Sequence, residues 1–205
     1  MGQIFIAALK EETPNLKNFH YSGVGKINAT IKIMELISKF QPSEIINYGT
    51  AGSTKKNLSG LVECTKFVQR DMDARGLMNF KLGETPFDPI SKITYSNDGY
   101  ICASGDSFVQ SSVEIDCDIV DMEAYSFAKV CKIYDIKFKC FKYISDYANE
   151  NSNNDWIDNC SKRSYIIFRD ISSIKNMILK LLEKLGRKKI VLDRGPSHPE
   201  FHKAK

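Results

Sequence analysis

Lys139-Cys140-Phe141-Lys142-Tyr143-Ile144-Ser145-Asp146 is the stretch whose reading decides the fold. Its apolar first part reads as a short buried strand, and Ser145-Asp146 ends it just ahead of the polar run Tyr147 to Asp155. A carboxylate at the carboxyl end of a core strand stands where open α/β sheets bind their ligands. Taken alone, Asp146 suits a turn cap equally well, because Asp is ordinary there. What other strand ends carry decides between the two.

The same theme recurs along the chain. Ile4 to Leu9 is a continuous apolar strand that delivers Glu11 and Glu12 to its end, as a solvated turn or as one working carboxylate beside a bystander. Ile45 to Ser53 runs into Gly49-Thr50-Ala51-Gly52, where small residues allow either a tight turn or close approach of a ligand to the backbone. Leu61 to Val68 is followed by Arg70, Asp71, Asp73 and Arg75, and Tyr100 to Val109 carries Ser104-Gly105-Asp106-Ser107-Phe108. After Asp121-Met122-Glu123 a helical pattern turns Ala124, Phe127, Ala128 and Cys131 inward. A further helical pattern follows Gly23-Val24-Gly25-Lys26, with Ile27, Ile31, Met34 and Ile37 on one face and Pro42 as its stop. Those glycines serve a turn or aim backbone N–H groups at an anion, but they complete neither a P-loop nor a G-x-G-x-x-G fingerprint. Strands ending in small or acidic residues, with helices after several of them, describe an α/β fold whose active face lies at the carboxyl ends of the strands.

At 205 residues the chain suits one domain and a tail, and 42% hydrophobic with 26% charged residues is ordinary for a globular protein. An amphipathic helix is expected from Cys160 to Leu185, stopped by Gly186. One domain over residues 1–186 and a basic, flexible tail over 187–205 are therefore expected. The net charge of +4 gathers near that tail instead of forming a stripe, which argues against nucleic-acid binding. Six scattered cysteines without a C-x-x-C pair suit reduced, buried thiols and a cytoplasmic location. No secretory signal or membrane-spanning run is visible. His198 and His202 stand four apart, but Pro199 between them and the lack of a third ligand argue against a metal site there, and no cofactor is expected. The segment from Gly76 to Pro89 reads as a long loop whose Phe80 and Phe87 suit a lid or a subunit contact.

Six stretches in order carry a resemblance: Ala7 to Glu12, Ser22 to Ala29, Ile45 to Gly52, Ser104 to Phe108, Asp121 to Ala124 and Tyr143 to Asp146. Together they resemble the nucleoside phosphorylase/hydrolase superfamily and, within it, the bacterial methylthioadenosine/S-adenosylhomocysteine nucleosidases. The resemblance implies a three-layer α/β/α sandwich around a central twisted mixed sheet, a homodimer and an adenine nucleoside substrate. It implies that Asp146 protonates the purine, oriented by Ser145, and that Glu12 activates the attacking water. Glu123 would hold the ribose hydroxyls beside Asp121, with Met122 against the sugar. Phe108 and Val109 would hold the base, and Thr50, Ala51 and Gly52 would line the ribose and water site. An N-glycosidic bond breaks through an oxocarbenium-like sugar, so the leaving purine needs a proton and the cationic carbon needs negative charge nearby.

Three departures from the family pattern stand out. Only about ten residues occupy the place of a β-hairpin after the glutamate strand. Lys142 stands where an arginine is usual near the water and ribose, which keeps the charge without a bidentate grip. Asn149 replaces an acid. The alternatives are a phosphate-dependent purine nucleoside phosphorylase, which would need a cationic cradle that Glu12 would repel, and a non-catalytic nucleoside-binding protein. Phe80, Pro86 and Phe87 would supply an apolar wall for the 5′ substituent or serve as loop anchors.

Overall fold

The computed structural model describes residues 2–13, 17–149 and 152. The expected helix over 160–185 and the tail from 187 lie outside the described residues. Strand β1 (Gln3–Ala7) leads through a 3-10 turn (Lys10–Glu12) to β2 (Phe19–Tyr21), and helix α1 (Lys26–Phe40) follows. Next come β3 (Glu44–Ser53), β4 (Leu61–Gln69), β5 (Ile93–Thr94), β6 (Tyr100–Ser104) and β7 (Ile119–Asp121). Helix α2 (Ala124–Ile133) and β8 (Lys137–Asp146) complete the order.

The α/β class expected from the sequence holds, with a mixed sheet ordered β2-β1-β3-β7-β6-β4-β5. Its layering differs from the expected sandwich. Strand β8 pairs with both β3 and β4, so β3, β7, β6, β4 and β8 close into a ring. Helices α1 and α2 pack against each other, so the described residues do not display two helical layers on opposite faces. Among the described residues no helix is long and apolar enough to cross a membrane. The five described cysteines are free and buried.

Strands β3 and β8 are nearly continuous runs of buried residues, as strands covered on both faces must be. The polar Asn47 in β3 is satisfied there, donating to the Ile6 carbonyl at 3.1 Å and accepting from the Cys140 thiol at 3.3 Å. Helix α2 buries Ala124, Phe127, Ala128 and Cys131, the face its sequence period indicated. Helix α1 does not follow its expected face. It buries Ala29, Ile33, Leu36 and Ile37, while Ile27 and Ile31 are 73% and 63% exposed. Both stripes have helical spacing, so periodicity alone cannot choose between them. The helix ends at Gln41, whose left-handed φ of 44° lets its N–H reach the Ile37 carbonyl, and Pro42 prevents continuation.

One irregularity matters for function. Ala51 pairs with Ile144, but Gly52 pairs with Asp146, so Ser145 is an extra residue in β8. A regular strand would send Ser145 and Asp146 to opposite faces, whereas a bulge re-aims them.

Candidate functional site

The carboxyl ends of β1, β3, β7 and β8 surround a cavity of about 240 Å³. That is slightly below the usual range for small-molecule pockets, roughly 300–1,000 Å³, and admits a single small ligand.

Glu12 enters from the 3-10 turn after β1, while Glu11 is exposed and is the bystander. One Glu12 oxygen accepts the Ala8 and Leu9 N–H groups, both at 3.0 Å. The other accepts the Thr50 N–H at 2.7 Å and the Thr50 hydroxyl at 2.9 Å. Four donors suit a carboxylate acting purely as an acceptor. Gly49 makes room for this arrangement, since a Cβ there would lie 3.1 Å from both the Glu12 Oε1 and the Lys142 Nζ.

Asp146 lines the cavity from the bulged end of β8. Its Oδ2 accepts the Ser145 hydroxyl at 2.7 Å and its Oδ1 accepts the Ala148 N–H at 2.9 Å. Gly52 lies against it so closely that a Cβ would stand 2.7 Å from Oδ1. Bulge and glycine together therefore fix where this carboxylate points.

A third acidic group forms around the end of β7. Lys142 and Asp121, both almost wholly buried, pair at 2.8 Å. The Asp121 carboxylate also accepts the Ser104 hydroxyl and, at 2.9 Å, the Ala124 N–H, so it caps α2. Burial opposes charge on both partners, yet the Lys142 ammonium holds Asp121 below the usual carboxylate range, and Asp121 holds Lys142 well above the usual lysine value. Glu123 is different. Burial, aided by the Asp121 charge, pushes its carboxyl up to about 8, against the opposing pull of Lys142 and of the Gly25 N–H, which donates to Oε1 at 2.9 Å.

Ser107, Phe108 and Val109 form a further wall. Arg70 lies flat against Gly105 and donates to the Gly105 carbonyl at 2.9 Å and to the carbonyl and hydroxyl of Ser107.

Of the residues proposed from sequence, Glu12, Thr50, Ala51, Gly52, Phe108 and Val109 line this cavity, as do Asp121, Met122, Glu123, Ser145 and Asp146. Lys142 does not. It is buried and tied to Asp121. Phe80, Pro86 and Phe87 are also absent from the lining. Phe80 and Phe87 meet edge to face at 5.8 Å, and Phe87 is 82% exposed. Residues not singled out for the site are Ala8, Leu9, Val24, Arg70, Ser107 and Val120. Ala8, Leu9, Val24 and Ser107 fall within stretches that carry the resemblance, and Arg70 is a cation just past a strand end.

A family model described as the Phosphorylase superfamily matches residues 100–173. A 5′-methylthioadenosine/S-adenosylhomocysteine nucleosidase of Staphylococcus haemolyticus is 32% identical over 155 residues, covering 62% of this chain and 67% of that protein. The protein of the same description from Bacillus cereus is 28% identical over 193 residues, covering 80% and 79%. Among solved structures, the Helicobacter pylori 5′-methylthioadenosine/S-adenosylhomocysteine nucleosidase superposes with a TM-score of 0.72 at 23% identity, covering 86% of this chain and 98% of that one. A mutant futalosine hydrolase of the same organism gives 0.69 at 23% identity, covering 79% and 93%. At such identities the two structures speak for a shared fold.

Proposed function

Because this chain belongs to the phosphorylase superfamily, we propose that it hydrolyses the N-glycosidic bond of an adenine nucleoside of the methylthioadenosine or S-adenosylhomocysteine type. The observation that carries the reading is that Glu12, Glu123 and Asp146, far apart in sequence, border one small cavity. Asp146, oriented by Ser145 and the Ala148 N–H, protonates the purine as the bond from the anomeric carbon to the base breaks. The bonding electrons leave with the base. Glu12, fixed by four donors, takes a proton from the water that attacks the anomeric carbon, and Glu123 receives the ribose hydroxyls. Positioned acid and base groups of this kind are each worth about a hundred- to ten-thousandfold. The products are free adenine and the 5′-substituted ribose.

Water is favoured over phosphate by how the cations are used. The Gly25 and Lys26 N–H groups donate to Glu123 and Asp106 and so are not turned toward a phosphate. The Lys26 ammonium contacts Asp71 at 2.6 Å, and the two terminal nitrogens of Arg70 donate to Gly105 and Ser107. The Glu12 carboxylate would also repel phosphate. The exposed stripe of Ile27, Ile31 and Met34 on α1 supports self-association of this chain as a homodimer.

The deciding assay is adenine release from methylthioadenosine, with and without phosphate, for wild type and Asp146→Asn. Release without phosphate, lost by at least about a hundredfold in Asp146→Asn, is expected. Equal release by both proteins refutes the assignment of the acid. A panel of adenine nucleosides varied at the 5′ position, with futalosine added, then fixes the substrate.

A further inference from the structure

Beyond the last paired residues of β4 and β6, Gln69 and Ser104, the two strand ends separate into loops. Those loops stay together, and to α1, through one polar cluster. The Lys26 N–H donates to Asp106 Oδ1 at 2.7 Å, and the Lys26 ammonium reaches Asp71 Oδ1 at 2.6 Å and Gln69 Oε1 at 3.2 Å. The second oxygen of Asp71 accepts the Asp106 N–H at 2.8 Å, which closes the circuit. Its neighbours in sequence give the circuit its importance. Gly25, next to Lys26, holds Glu123 through its N–H, and Ser107 and Phe108, next to Asp106, line the same cavity.

We infer that Lys26 and Asp71 are positioning residues that fix the gap between Glu123 and the Phe108 wall, and so set the affinity for the nucleoside without taking part in proton transfer. The inference rests on reading the cavity as a nucleoside site. Neither Lys26 nor Asp71 lines the cavity. Burial disfavours charge on Asp71, yet the Lys26 ammonium and the Asp106 N–H outweigh it and keep the carboxyl below its ordinary value. The Lys26 and Asp71 side chains are half-buried, at 18% and 30% exposed, so solvent still screens the pair and its contribution to global stability is modest. Their effect belongs in the geometry of the site, where small displacements are costly.

Steady-state kinetics of adenine release on Lys26→Met, Asp71→Asn, the double variant and Lys26→Arg test this. Lys26→Met is expected to raise KM about tenfold, within the range of coupling in one ion-pair network. Its kcat should stay within about threefold of wild type, the sign of lost binding and not lost chemistry. The double variant should be no worse than Lys26→Met alone, and Lys26→Arg should recover most of the affinity. Calorimetric titration with adenine, which needs no turnover, should show the same loss of affinity. An unchanged KM and adenine affinity, a fall in kcat at constant KM, or additive effects in the double variant overturn the inference. If Lys26→Met does not fold, Asp71→Asn decides by the same readings. Wild type that binds adenine without cleaving a nucleoside removes the hydrolase reading alone, whereas wild type that does neither removes both.

Discussion

Glu123→Gln offers a test in which a buried cavity carboxyl works against the stability of its own protein. Burial and the Asp121 charge raise the Glu123 carboxyl from 4.5 to about 8. Between those pH values the folded chain keeps a proton that the unfolded chain has released, so stability falls as pH rises through that window and levels off above it. At about 1.4 kcal/mol per pH unit, ionising Glu123 in the empty cavity costs roughly 5 kcal/mol at most above pH 8. Glutamine cannot ionise, and its carbonyl still accepts the Gly25 N–H. For a chain of this size about 1 kcal/mol moves Tm by roughly 2–4 °C. Thermal unfolding of Glu123→Gln is therefore expected to exceed wild type by about 5 °C or more at pH 9. The gap should shrink to about 1 kcal/mol or less at pH 5, where the folded wild type is already protonated. Nucleoside affinity should fall in the same variant. A Tm difference that is the same at both pH values, or a variant less stable than wild type at pH 9, refutes the reasoning.

Lys142→Met strands Asp121 without its counter-ion and should cost about 3–5 kcal/mol in urea unfolding, with Lys142→Met/Asp121→Asn recovering part of the loss. Gly52→Ala puts a methyl group 2.7 Å from the Asp146 carboxylate, so kcat should drop by about tenfold or more while the chain still folds; wild-type turnover would show that the carboxylate needs no such room. Ile31→Glu, on the exposed stripe of α1, should halve the mass seen in sedimentation without lowering Tm by more than a few degrees; an unchanged mass removes α1 as the contact.

The strands beginning near Ile4, Ile45, Leu61, Tyr100 and Lys139 were legible because apolar runs of strand length leave little choice, and α2 because the face spaced by Ala124, Phe127, Ala128 and Cys131 is indeed among its buried residues. Helix α1 carries apolar residues on two faces, so its buried side could not be told from its exposed one. Closure of the ring by β8 was hidden for a different reason: pairing with two partners at once is a matter of register between distant segments, and no local pattern encodes it. The acids of the cavity stood out at strand ends. Lys142 misled because position along a strand says nothing of depth, and the bulge at Ser145 turns its neighbours out of simple alternation. The hydrogen bonds that hold Glu12 come partly from backbone N–H groups, which have no signature in side-chain type.

The closed ring also governs the order in which a nascent chain acquires its chemistry. Asn47 and Cys140 meet across 93 positions, and such distant pairing is slow to form because so much chain must be looped before any contact repays it. Until β8 has left the ribosome, one hydrogen-bonding edge of β3 has no strand to pair with, an invitation to aggregation. Asp146 rides on that same late strand, so a shortened precursor ending before it would lack both the closing seam and the carboxylate proposed as the acid.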